Sequence, residues 1–134
     1  LLGKDYLFEL SDAILSENSS TILNIIDRLH SSSCDMERLM SELVNHFRNI
    51  MMAKTTRNPE KFIVSTPDEL QRYKENADKM TYGTILHIME TLCRAQAKPL
   101  CQVNCKKCPC YWANKFIFII RRSALWLLKK NYWQ

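Results

Sequence analysis

MERLMSELVNHFRNIMMAK, residues 36–54, is the stretch whose reading decides the fold. Met36, Leu39, Met40, Leu43, Val44, Phe47, Ile50 and Met51 recur at three- and four-residue intervals. That is the period of one apolar helix face, and it is too long for a strand. Neither glycine nor proline interrupts it, and Asp35 stands just ahead as a residue able to cap the first turn. The spacing therefore predicts a helix over about residues 36–54. Its length makes it the element on which the others pack.

Working outward, the same period continues on both sides. Leu7, Phe8, Leu10, Ile14 and Leu15 form an inward face after Asp5, read as an N-cap. The polar cluster Ser16-Glu17-Asn18-Ser19-Ser20 ends that helix and offers caps for the next. A second helix over about 21–31 turns Ile22, Ile25, Ile26 and Leu29 inward, and residues 31–35 connect it to the long helix. Beyond the long helix, residues 55–60 read as a loop and Phe62-Ile63-Val64 as a short extended patch.

Thr66-Pro67-Asp68-Glu69 is the strongest local signal. Thr66 and Glu69 have the spacing of a reciprocal capping box, and Pro67 falls at the first helical position, where its missing N–H costs nothing. A fourth helix runs from there to about Lys79, inward at Leu70, Tyr73 and Ala77. Thr81 caps a fifth, with Ile85, Leu86, Ile88, Met89, Leu92 and Cys93 inward. Helical hairpins without strands predict an all-α fold, an antiparallel helix bundle of about five to six helices. Only two glycines and four prolines in 134 residues agree with it.

The net charge of +5 averages two unlike parts. Residues 1–96 carry eleven Lys/Arg against all fourteen acids, whereas residues 97–134 carry eight Lys/Arg and no acid. The second part also holds all three tryptophans and four of the six cysteines. A break this sharp marks a boundary, dividing a helical segment 1–96 from a Cys- and Trp-rich basic tail 97–134. The start shows no signal-peptide pattern, and the opening Leu1-Leu2-Gly3 without methionine suggests a piece of a longer protein. No membrane span is expected, since the apolar run Phe116–Ile120 meets Arg121-Arg122 far short of the ~20 residues needed.

The order of elements carries a resemblance. A Leu-Leu-Gly opening and a short helix lead into TILNIIDRLHSSSCDMERLMSELVNHFRNIMMAK, residues 21–54. A Thr/Pro/Asp/Glu-started helix then leads to ILHIMETLCRAQAK, residues 85–98. Over about residues 1–96 this resembles the collar, the third and oligomerisation domain of the gamma/tau subunit of the bacterial DNA polymerase III clamp loader. The "D-x-E-R-L-M" start and "F-R-N-I-M-M-A-K" end of the long helix carry the likeness. The resemblance implies a scaffold that joins clamp-loader subunits into a homo- and hetero-oligomer for DNA replication in the cytoplasm. DNA contact would be indirect and no membrane would be involved.

ATP hydrolysis in that family belongs to preceding domains, and no Gly-rich phosphate loop or Lys-Ser/Thr pair occurs here. No catalytic residue and no cofactor is therefore assigned to this segment. The tail departs from the family pattern. Its lack of acids and load of Cys and Trp fit an out-of-frame or chimeric end as well as a diverged final helix.

Cys101, Cys105, Cys108 and Cys110 give C-x3-C-x2-C-x-C, four thiols that could hold tetrahedral zinc, with Lys106 and Lys107 lowering their pKa values. Structural zinc sites usually use two ligand pairs separated by a longer loop, and Cys108-Pro109-Cys110 leaves little freedom to wrap one ion. The four cysteines stand as the metal candidates, with no zinc assigned. A small zinc- or nucleic-acid-binding module in residues 97–134 is the alternative function, its basic and aromatic side chains contacting phosphates and bases. His30, His46 and His87 fall on separate helices without ligand-spaced partners, so they are read as surface or boundary residues. The methionines of the helical segment are read as core or subunit interface.

Overall fold

A computed structural model of the protein describes residues 4–32 and 35–97. Among these residues there are five α-helices, one 3-10 turn and no strand: α1 (Asp5–Leu15), α2 (Ser19–Ser31), α3 (Met36–Thr55), the turn Pro59–Lys61, α4 (Pro67–Lys79) and α5 (Tyr82–Ala97). The all-helical bundle expected from the periodicity is the fold found, but the expected antiparallel order is corrected: α1, α3 and α4 run in one sense. The cysteine cluster and the rest of the tail lie outside the described residues.

Local chemistry sets each boundary. The Asp35 carboxylate accepts from the Glu37 and Arg38 amides at 3.0 and 3.4 Å, fixing the start of α3. At α4 the box is complete: Glu69 N–H donates to Thr66 Oγ1 at 3.3 Å, and Thr66 N–H donates to Glu69 Oε2 at 3.2 Å. Thr81 Oγ1 accepts from the Thr84 amide at 3.2 Å and starts α5. Asn18 accepts from the Thr21 amide at 3.1 Å and starts α2 two residues before the spacing suggested.

One cap differs from expectation. Lys4, not Asp5, is the N-cap of α1, and its side chain makes no capping bond. Asp5 lies inside the first turn, where its charge favours the positive end of the helix dipole and reaches Arg72.

α1 ends without a glycine. Glu17 adopts φ 55°, the left-handed conformation that glycine takes at low cost. Its amide donates to Ile14 O at 3.3 Å, and that of Asn18 donates to Ala13 O at 3.0 Å, the paired bonds of a Schellman ending. The backbone bonds and the short turn hold Glu17 in this strained state.

α3 is the spine. It packs against α4 and α5 along much of its length and against α1 more lightly, while α2 packs on α1. Leu39, Leu43, Phe47 and Ile50 of α3 are fully buried, with Met40 beside them. They meet Phe8, Leu10 and Ile14 of α1, Tyr73 and Ala77 of α4, and Ile85, Ile88 and Leu92 of α5 in one core. Leu15, Val44, Met51, Leu70 and Met89 pack at its margin. Pro59 and Ile63 tuck the α3–α4 connection down, leaving Phe62 and Val64 outward.

Helix directions follow from side-chain pairs. α1 and α2 are joined only by residues 16–18 and pack on each other, with Glu9 paired to Arg28, so they form an antiparallel hairpin. Lys4 meets Glu69, Asp5 meets Arg72 and Asp12 meets Lys79, so α1 and α4 run in the same sense. Asn49 donates to Tyr73 and Lys54 to the Ala77 carbonyl, a rising order that also aligns α3 with α4. The eleven-residue connection 56–66 permits this: extended, it reaches about 36 Å, against about 20 Å for a thirteen-residue helix.

Candidate assembly surface

Two regions of the described residues bear on function: a buried polar cluster where α1, α3 and α4 meet, and the outer face of α5.

The cluster centres on His46, which the spacing placed at the edge of the α3 stripe. It is instead buried, 1% exposed, and this corrects its reading as a surface or boundary residue. His30 and His87 are half-buried on α2 and α5. The His46 ring stands edge-on to Phe8 at 4.6 Å and to Phe47 at 5.8 Å, and tilted to Tyr73 at 5.3 Å. Its Nε2 lies 3.2 Å from Ser11 Oγ, whose own proton goes to the Phe8 carbonyl at 2.9 Å. Ser11 must therefore accept, which assigns the proton to Nε2 and leaves Nδ1 as a bare acceptor. Among the described residues that nitrogen is buried with no partner.

Protonation would put a charge where neither water nor an acceptor can reach it. Burial lowers the His46 pKa to about 3, helped by the positive charges of Arg72 and Lys4. The imidazole is thus neutral at physiological pH. It fills space and makes one hydrogen bond, whereas a general acid or base would need a pKa near the working pH.

α5 has two apolar stripes. Ile85, Ile88 and Leu92 face the core, with Thr84 and Thr91 buried beside them. Tyr82 and Leu86 face outward, 49% and 41% exposed, with Met89 half-buried and Cys93 exposed further along the helix. The sequence reading had turned Leu86 and Cys93 inward. The correction is geometric: α5 packs mainly on α3, and a single neighbour covers about one stripe of a helix. The outward residues occur at i, i+4, i+7 and i+11, the interval at which a further helix is met. Glu90 and Arg94 flank them as an ion pair at 2.6 Å.

Among the described residues no group of three or more His, Cys, Asp or Glu converges to hold a metal. The candidates Cys101, Cys105, Cys108 and Cys110 fall outside those residues. No helix of the described residues is long and apolar enough to cross a membrane. Of the methionines, Met40 and Met80 are core, while Met51, Met52 and Met89 lie at its margin.

Fold and surface together define a helix-bundle module with one buried neutral histidine and an edge helix apolar on two sides. Residues 1–98 match the family described as DNA polymerase III subunits gamma and tau domain III, and the chain belongs to that family. The match covers the helical segment and ends within two residues of the composition break at 96. No curated protein and no solved structure gives a match.

Proposed function

We propose that this chain is the assembly part of a clamp-loader subunit, a scaffold that oligomerises with other such subunits to support DNA replication. The domain III membership of residues 1–98 carries the reading. The open stripe of Tyr82 and Leu86 on α5 supplies a surface suited to it. Removing such side chains from water by packing against a neighbouring subunit stabilises the assembly by roughly 25 cal/mol for each Å² of apolar area covered. Partners are copies of this chain and related clamp-loader subunits, in the cytoplasm. Contact with DNA is indirect, and ATP is hydrolysed outside this segment.

In this reading residues 1–96 form the collar unit, and residues 97–134 contribute neither an active site nor a metal centre. Sedimentation of the 134-residue chain tests the first part. Concentration-dependent association that Leu86→Asp abolishes, with helicity retained, is the expected result. A monomer at all concentrations, alone and with clamp-loader subunits, would overturn the scaffold reading. Zinc measured on reduced, purified protein tests the second part: about one equivalent, lost on replacing Cys105 and Cys108 by serine, would move the function to the tail.

A further inference from the structure

The seam between the α1–α2 hairpin and the helices α3 to α5 is built differently from the rest of the molecule. Lys4–Glu69 at 3.8 Å, Asp12–Lys79 at 3.9 Å and Asp5–Arg72 all cross it. The Tyr6 hydroxyl donates across it to Glu42, and His46 bonds to Ser11 across it. Arg72 also lies over the Phe8 ring, 4.1 Å from its centre. Glu9–Arg28, Arg38–Glu42 and Glu90–Arg94 stay on one side. Packing has the same division: α1 lies chiefly on α2, and α3 chiefly on α4 and α5. The two units thus meet through charge pairs, hydrogen bonds and a ring cluster set on the shared apolar core.

We infer that the α1–α2 hairpin undocks from α3–α5 as a unit, with His46 as the acid-sensitive latch that holds it. Exposed ion pairs are each worth little, so the seam's grip comes from its buried contacts, the Phe8–His46–Tyr73 rings among them. A charged His46 ring there would be cut off from water, with no acceptor for its Nδ1 proton among the described residues. The groups that face it across the seam are Ser11 and Phe8 of α1, Lys4 just ahead of α1, and Arg72 and Tyr73 of α4. The two charged groups among them are cations, Lys4 paired with Glu69 and Arg72 with Asp5, while Glu42 of α3 accepts from the Tyr6 hydroxyl; among the described residues Nδ1 has no acceptor. A protonated ring repels Lys4 and Arg72 from within the seam, and separating the hairpin admits water to it. Neutral pH keeps the hairpin docked, and mild acid loosens it before the helices within either unit are affected. This device is independent of the assembly reading.

Native-state hydrogen exchange on the full chain tests it, with protection corrected for the intrinsic rate at each pH. At pH 7 the slowest α1 and α2 amides share one protection level, below that of the α3 core amides around Leu43 and Phe47. Between pH 7 and pH 5 the hairpin's protection falls about 25-fold, the effect of one proton taken up on opening at pH 6.5 and refused by the docked state until about pH 3. That fall disappears in His46→Gln. Tyr6→Phe, which leaves the ring cluster in place, lowers hairpin protection about fivefold at either pH, and the α3–α5 core amides fall by the same factor while staying above the hairpin's level, because the Tyr6–Glu42 bond is lost in both openings. Equal protection of both units at pH 7 and at pH 5 would overturn the separable hairpin. A pH response that persists in His46→Gln would overturn the latch.

Discussion

Leu43→Ala tests the claim that α3 is the spine of the molecule. Leu43 has no exposed surface and sits midway along the buried row of Leu39, Met40, Phe47 and Ile50. The substitution deletes three carbon groups, and at about 0.8 kcal/mol each the lost transfer free energy is roughly 2.4 kcal/mol. Helices on several sides of α3 cannot all close the gap. If on the order of 50 Å³ stays open, about 24 cal/mol per Å³ adds ~1.2 kcal/mol. The expected destabilisation is therefore about 3–4 kcal/mol, a large share of the ~5–15 kcal/mol typical of a domain. Urea unfolding followed by far-ultraviolet circular dichroism measures it. With a slope of ~2 kcal/mol per M, the midpoint should drop by roughly 1.5–2 M. Leu23→Ala, at a position 39% exposed on α2, serves as the control and should move it little. A loss below 1 kcal/mol for Leu43→Ala, with the slope unchanged, would refute the central packing of α3.

Stability should also depend on pH through His46. Its folded pKa is lowered from 6.5 to about 3, so its contribution is complete above pH 6.5 and is lost as pH falls through that value, at ~1.4 kcal/mol per unit. Urea midpoints between pH 6.5 and 5 should record a loss of about 2 kcal/mol, absent from His46→Gln; an equal loss in that variant would exclude His46 as the source. Thr66→Ala removes one half of the α4 capping box and should cost about 0.5–2 kcal/mol in the same assay. Glu17→Gly relieves the left-handed strain at the end of α1 and should raise the thermal midpoint, by an amount equivalent to no more than ~1 kcal/mol. Calorimetric titration with ATP should give no binding, since the sequence lacks the elements that cradle phosphate; micromolar affinity would contradict a scaffold whose nucleotide chemistry lies elsewhere.

The sequence by itself determined the elements. The 3.6-residue period of Leu39, Leu43, Phe47 and Ile50, and the caps at Asp35, Thr66 and Thr81, are local properties. Periodicity and short-range hydrogen bonding need no knowledge of distant residues, so the helices and most of their inward faces were legible. The motifs at both ends of α3 likewise pointed to the family that residues 1–98 match.

What only the tertiary structure decided was which face of each helix has a neighbour. A period specifies a stripe but not how many helices cover it. Leu86 and Cys93 fit the α5 pattern yet face outward because α5 rests mainly on α3. His46 shows the reverse. On α3 alone it stands beside the stripe, and it is buried only because α1 and α4, running in the same direction, close over it with Phe8, Ser11 and Tyr73. The partners that bury it lie 38 residues before and 27 after it in the chain. Its depressed pKa follows from that long-range desolvation, a property that no local pattern encodes.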